Sequence, residues 1–157
     1  MSNHSALLEE ISSMLVESDL FSHMSPAELR AAAHYFSVSK IAQDEIVFDE
    51  GDVGAFMCIV HSGKISVIKV NLYDDVVEVA TLGPGRAFGE MAVLDGEHRS
   101  ATCKAAEDSI LLTLSKDALD KMLEEHPRIG ARIIRAISVS LSRRLRMAVG
   151  QLVDHLV

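Results

Sequence analysis

Apolar residues Leu7, Leu8, Ile11, Met14 and Leu15 recur at helical spacing between Ala6 and Val16, which predicts a short amphipathic helix with one stripe to bury. A second helix is predicted from Ser25 to about Tyr35. Ser25 suits the N-cap, Pro26 the first helical position, and Glu28 can reach back to complete a capping box. From Lys40 to Leu114 the period changes to two, in runs such as Glu45-Ile46-Val47-Phe48, Phe56 to Val60, Ile65 to Ile68 and Val76 to Val79. Turn signals separate them at Glu50-Gly51-Asp52, Ser62-Gly63-Lys64, Tyr73-Asp74-Asp75 and Gly83-Pro84-Gly85. Short strands punctuated in this way predict an antiparallel sandwich or roll rather than a parallel sheet.

Helical spacing returns after Leu114. Ser115 can cap a helix running to His126 with Ala118, Leu119, Met122 and Leu123 on one face, and Pro127 permits a fresh start. The long helix that follows carries Ile134, Ile137, Leu141, Leu145, Ala148 and Leu152 three or four residues apart, close to a coiled-coil seam, with Gly150 weakening its last turns.

Length and composition change this picture little. A chain of 157 residues, 48% hydrophobic and 24% charged, is predicted to form one globular domain. Acidic Glu9 and Glu10 stand where a secretory signal would be basic, and no uncharged apolar run reaches the ~20 residues that span a bilayer, so a soluble, cytoplasmic protein is expected. Cys58 and Cys103 lie in apolar alternating stretches and read as small hydrophobes rather than as a disulfide framework.

Charge is more informative. The net charge of −8 argues against unaided nucleic-acid binding, yet the last 31 residues carry six arginines (128, 132, 135, 143, 144, 146) against one acid, Asp154. This reads as a solvated helix face, with a docking surface for an acidic partner as the alternative. The histidines at positions 4, 23, 34, 61, 98, 126 and 155 form no pair with metal-ligand spacing, which argues against a metal-dependent cupin-type enzyme. Ser, Cys and His form no nucleophilic motif, so neither catalysis nor a cofactor is expected.

One stretch, Phe88-Gly89-Glu90-Met91-Ala92-Val93-Leu94-Asp95-Gly96-Glu97-His98-Arg99-Ser100-Ala101-Thr102, breaks both periods. A glycine before a short helical turn lets backbone approach a ligand, and the free N–H groups at the turn favour an anion. Arg99 adds a permanently charged fork that fits phosphate, and Ser100 adds a hydroxyl beside it. Glu90 can only accept hydrogen bonds, so next to an anion it suits a hydroxyl such as a ribose 2′-OH. Taken alone, a Glu and an Arg so spaced are as readily an exposed ion pair.

These residues resemble the phosphate-binding cassette of cyclic-nucleotide-binding domains. Ile46-Val47 leading to Glu50-Gly51-Asp52, Phe56 to Val60, Ser62-Gly63-Lys64-Ile65 and Leu82-Gly83-Pro84-Gly85 extend the resemblance over about residues 20 to 150. His98 departs from it, since the family often has Pro there. The resemblance implies a mainly β fold, an antiparallel eight-stranded β-roll (a double-stranded β-helix or jelly roll) at residues 38–114, between N-terminal helices at 1–37 and two C-terminal helices at 115–157. It also implies that Glu90 accepts the ribose 2′-OH, that Arg99 clamps the cyclic phosphate, and that Gly89, Met91, Ala92, Ser100 and Ala101 shape the pocket.

The ligand so implied is cyclic AMP, with cyclic GMP, a dinucleotide signal or a lost ligand as the alternatives, and Ser100 does not decide the base. The expected protein is a signal-transducing regulatory module that relays binding through its C-terminal helix. It would pair as a homodimer along that helix and act on a downstream protein, touching neither DNA nor membrane. The chain ends at Val157 as the helix closes, so a stand-alone sensor or a fragment of a larger regulator is expected. The alternative is an interaction scaffold without a nucleotide.

Overall fold

A computed structural model describes residues 2–156; Val157 lies outside the described residues, as does the side chain of His155. Helix α1 (Ser2–Val16) starts before the predicted Ala6 and buries Ile11, Met14 and Leu15. A single 3-10 turn, Asp19–Phe21, follows, capped by the Ser18 hydroxyl, which accepts from the Leu20 N–H. Helix α2 (Pro26–Ala33) has the predicted capping box. The Ser25 hydroxyl accepts from the Glu28 N–H at 3.2 Å, and the Glu28 carboxylate accepts from the Ser25 N–H at 3.0 Å.

Strands β1 (Ser37–Ile41), β2 (Ile46–Phe48), β3 (Phe56–Ser62), β4 (Ile65–Val70), β5 (Val76–Leu82), β6 (Ala87–Phe88), β7 (Thr102–Ala105) and β8 (Ser109–Ser115) form the roll. They make two four-stranded antiparallel sheets, ordered β1-β8-β3-β6 and β2-β7-β4-β5. Helix α3 (Glu90–Asp95) interrupts the strands between β6 and β7. Helices α4 (Lys116–Glu125) and α5 (Pro127–Leu156) close the chain, with the Ser115 hydroxyl capping α4 by accepting from the Ala118 N–H. The architecture is the antiparallel roll flanked by helices that the sequence implied.

The central strands β3 and β8 of the first sheet are buried on both faces, which explains why β3 reads as a continuous apolar run and not as an alternation. Met57 and Ile59 of β3, with Leu112 and Leu114 of β8, face the helices and join Leu15, Phe21, Leu119, Met122, Ile133 and Ile137 in one core. Cys58, Val60 and Leu111 point the other way, into a second core between the sheets with Phe48, Ile65, Phe88, Cys103 and Ala105. Both thiols are buried, and burial pushes their pKa values up to about 12, so they behave as the small hydrophobes expected.

Helix α5 does not present one uniform seam. Its first half buries Ile133 and Ile137 in the helical core, with Ile134 and Leu141 partly covered, while Leu145 and Leu152 stand 65% and 59% exposed. Gly150 leaves the helix unbroken.

The division predicts two different mutational costs. Leu112→Ala, in the centre of the doubly covered sheet, should destabilise the fold by about 2–5 kcal/mol. Leu145→Ala in a monomer should change stability by less than about 0.5 kcal/mol. Denaturant unfolding of the two variants measures the contrast.

Candidate functional site

The residues between β6 and β7 form a short helix held between two left-handed glycines. Gly89 (φ 75°) is the N-cap of α3 and Gly96 (φ 71°) its C-cap, with the Gly96 N–H donating to the Ala92 carbonyl at 2.7 Å. The chain then runs back along the 51–54 loop. The Arg99 N–H donates to the Asp52 carbonyl at 2.6 Å, the Gly51 N–H to the Arg99 carbonyl at 2.8 Å, and the Gly54 N–H to the Glu97 carbonyl at 3.0 Å. These bonds hold the backbone on both sides of His98, where the family pattern is broken.

They also drive the Arg99 side chain inward, leaving it 5% exposed. Its guanidinium carbon lies 3.8 Å from the ring centroid of Phe48 and 4.6 Å from that of Phe56. One terminal nitrogen donates to the Phe56 carbonyl at 2.6 Å and the other to the Gly89 carbonyl at 3.2 Å. Burial lowers the guanidinium's pKa from its ordinary value. A desolvated cation between two aromatic faces is stabilised by about 2 kcal/mol or more. Room for it depends on glycine, because a Cβ at Gly89 would lie 2.7 Å from an Arg99 terminal nitrogen and one at Gly54 would overlap the Ala92 side chain.

Glu90, at the first turn of α3, is also buried, at 3%. One of its carboxylate oxygens is ion-paired with the guanidinium of Arg144 on α5. A polar tie therefore joins the loop of the roll directly to the long helix. On the outer side Lys69 donates to the Ser100 carbonyl at 2.5 Å, which holds the start of β7 against β4.

All seven residues singled out in the sequence, Gly89, Glu90, Met91, Ala92, Arg99, Ser100 and Ala101, lie on the wall of one cavity of about 910 Å³. The opposite wall was not anticipated. It consists of Arg132, Arg135, Ala136, Val139, Ser140, Arg143, Arg144 and Met147, one face of α5. The basic C-terminal segment is thus only partly a solvated face, since four of its six arginines turn to the cavity. The spacing of Arg132, Arg135 and Arg143, three and eight residues, is the signal that would have placed these three on one helix face, whereas Arg144 lies about 100° further round and had no such signal. Phe48 and Phe56 were read as ordinary strand residues; nothing in their pattern marks them as the flanks of a guanidinium.

A β-roll with a buried arginine and glutamate on one wall of a ligand-sized cavity defines a binding module for an anionic small molecule. The comparisons with known proteins agree. Residues 38–126 match the family model of the cyclic nucleotide-binding domain, and the chain belongs to that family.

Among its relatives, the cyclic AMP receptor protein of Thermus thermophilus is 34% identical over 131 residues, which cover 83% of this chain and 59% of that protein. A cAMP-dependent protein kinase regulatory subunit of Yarrowia lipolytica is 29% identical over 116 residues, 74% of this chain and 30% of that one. The chain therefore spans less than two thirds of the length of these relatives. A solved cyclic nucleotide-binding domain from Methylobacillus flagellatus superposes with a TM-score of 0.82 at 28% identity, covering 94% of this chain and 83% of that one.

Because Gly89 combines a left-handed backbone with the closest approach to the buried guanidinium, Gly89→Ala carries two penalties. The left-handed conformation alone costs about 1–2 kcal/mol, and displacement of Arg99 adds to it. A loss of less than 1 kcal/mol in denaturant unfolding would show that the cassette relaxes around the methyl group.

Proposed function

We propose that the chain is a cyclic-nucleotide sensor that binds cyclic AMP in its cassette and relays the event through α5. The observation that carries this is the buried Arg99, a fixed cation on the cavity wall beside a buried carboxylate. The Gly89 and Phe56 carbonyls take some of its five N–H donors and leave others for the exocyclic oxygens of a cyclic phosphate. The ion pair with Arg144 engages one oxygen of Glu90, and the second remains to accept a ribose 2′-OH. Gly89, Met91, Ala92, Ser100 and Ala101 shape the floor around these two groups. Membership of the family supports the cyclic phosphate. The cyclic AMP named in the Thermus thermophilus relative supports adenine over guanine.

Titration calorimetry with cyclic AMP tests the two roles together. Arg99→Ala removes a charge-assisted contact worth about 1.5–3 kcal/mol and should weaken binding about ten- to a hundred-and-fifty-fold. Removing the 2′-hydroxyl from the ligand should cost the parent far more than it costs Glu90→Gln, and the coupling in that double cycle measures the contact. Equal affinities for parent and Arg99→Ala would defeat the cassette assignment. A coupling near zero would confine Glu90 to holding Arg144.

Relay through α5 is supported by the Glu90–Arg144 pair, which ties the ligand-facing carboxylate to the long helix. Pairing of two chains along the outer half of that helix is supported by Leu145, Val149 and Leu152, which are 65%, 52% and 59% exposed and separated by four and three residues. Leu141 is partly covered by the helical core, so the informative substitution is Leu145→Glu. Light scattering should report a dimer that this variant converts to monomer, and hydrogen exchange between Ile129 and Leu152 should change when cyclic AMP is added. A monomeric parent removes the pairing, and unchanged exchange removes the relay. Such a sensor would act in the cytoplasm, on a downstream protein partner and without contacting DNA itself. The kinase regulatory subunit among its relatives supports action on a protein partner.

A further inference from the structure

The hairpin of β4 and β5 carries apolar side chains that the described chain leaves uncovered. Strand β5 is an edge of the second sheet, hydrogen-bonded to β4 alone, and Val76, Val77 and Val79 stand exposed along it. At the tip Leu72 is 100% exposed and Tyr73 85%. The turn that presents them is firmly built. The Asn71 side-chain carbonyl accepts from the Tyr73 N–H at 2.9 Å and from the Asp75 N–H at 3.0 Å, and the Asn71 N–H donates to the Asp75 carbonyl at 2.9 Å. A tyrosine held in this way is buried by a partner with little further loss of backbone freedom, which suits it to anchor an interface.

Charge indicates what kind of surface fits the tip. Residues 70–82 contain Asp74, Asp75 and Glu78 and no cation. Asp74 and Asp75 form no ion pair among the described residues. The distal half of α5 is also apolar and exposed, but it has the opposite charge, with Arg143, Arg144 and Arg146 against Asp154. Arg144 is taken by Glu90, whereas Arg146 has no ion pair among the described residues. Arg146 stands three residues from Val149 and seven from Val153, so the three share a helix face beside the stripe of Leu145, Val149 and Leu152. Two chains paired along that stripe leave Arg146 and Val153 at its flank. The chain's own α5 does not cover the hairpin tip. The hairpin's root, Val67, Ala80 and Leu82, shares the cavity wall with Arg143 and Met147 of α5, and three residues of strand, about 10 Å, carry the tip on from Val67.

We infer that the hairpin tip of one copy docks on the distal half of α5 in a second copy, with Leu72 and Tyr73 against Val149 and Val153 and with Asp75 beside Arg146. The inference rests on the pairing of two chains through α5 proposed above. The two surfaces complement each other in both apolar character and charge, and a two-fold dimer makes the contact twice.

Sedimentation equilibrium on the parent and its variants tests the contact, with far-UV dichroism to check folding. Leu72 and Tyr73 are exposed, so L72S/Y73S should fold like the parent and raise the dimer's dissociation constant about tenfold or more. D75K and R146E should each weaken the dimer, and D75K/R146E should be about threefold or more tighter than independent losses predict. Cross-linking locates the contact. Because Cys58 and Cys103 are buried, L72C chains mixed with V153C chains should join 72 to 153 between copies on mild oxidation. A dimer that L145E breaks and L72S/Y73S leaves unchanged overturns the hairpin contact, frees the tip for a different protein, and leaves the α5 pairing standing. A cross-link that forms within an L72C/V153C chain and never in the mixture overturns the contact by seating the hairpin on its own helix. A monomeric parent overturns the hairpin contact and the pairing together.

Discussion

The burial of one guanidinium constrains much of this molecule. Taking the Arg99 cation out of water costs several kcal/mol unless the surroundings replace its hydration. Phe48 and Phe56 supply aromatic faces, and the Gly89 and Phe56 carbonyls supply acceptors. Each of these requirements restricts a different element. Phe48 ends β2 and Phe56 opens β3, so the 49–55 loop must bring the two strand ends around the same side chain. Gly89 must carry no Cβ, and Gly54 must let Ala92 pass beneath it. The loop's own hydrogen bonds to residues 97 and 99 then fix the arginine's backbone. The cassette is therefore held in place before any ligand arrives, which reduces the ordering cost of binding.

The first sheet provides the rigid base for this arrangement. With β3 and β8 covered on both faces, a displacement on the helical side is transmitted through residues such as Met57 and Ile59 to neighbours that face the opposite core. The second sheet is different. Strand β5 forms its edge, with Val76 71% exposed and Val79 53% exposed, and contributes little to either core. The stable part of the roll is thus the part that carries β6 and the entry to the cassette.

Much of this was legible in the sequence, and the misses have physical causes. The capping box at Ser25 and the cap at Ser115 were readable because capping is local, settled by side chains three residues apart. The short helix after Gly89 was readable because the run breaks both periods at a glycine, and no side chain caps it. Strand β3 obscured its own environment, because burial on both faces erases the alternation that distinguishes them. The pairing of Glu90 with Arg144 joins residues 54 positions apart, and no local period encodes such a contact. The helical spacing of the C-terminal arginines was visible, but which face they occupied depended on how α5 lies over the roll. Ile133 illustrates the same limit. It is almost completely buried, yet the seam read from the sequence ran through its neighbour Ile134.

The contact between Glu90 and Arg144 determines what kind of relay the fold can support. A carboxylate this buried is costly without a cation, so α5 is drawn onto the cavity whenever the acceptor is otherwise unsatisfied. A ligand hydroxyl that donates to the same carboxylate satisfies part of that demand and changes how strongly the helix is held. The direction of the change is set by differential affinity alone. A ligand that binds equally well with α5 docked or released moves nothing, and a hundredfold preference for one arrangement biases the helix by about 2.7 kcal/mol. The proximal half of α5, with Ile133 and Ile137 in the core, is too well buried to release at that cost. Under the proposed relay, motion is confined to the helix beyond Leu141, where the exposed stripe of Leu145, Val149 and Leu152 lies. Arg144, which meets Glu90 of the cassette, and the surface proposed for a second chain then lie on the same segment.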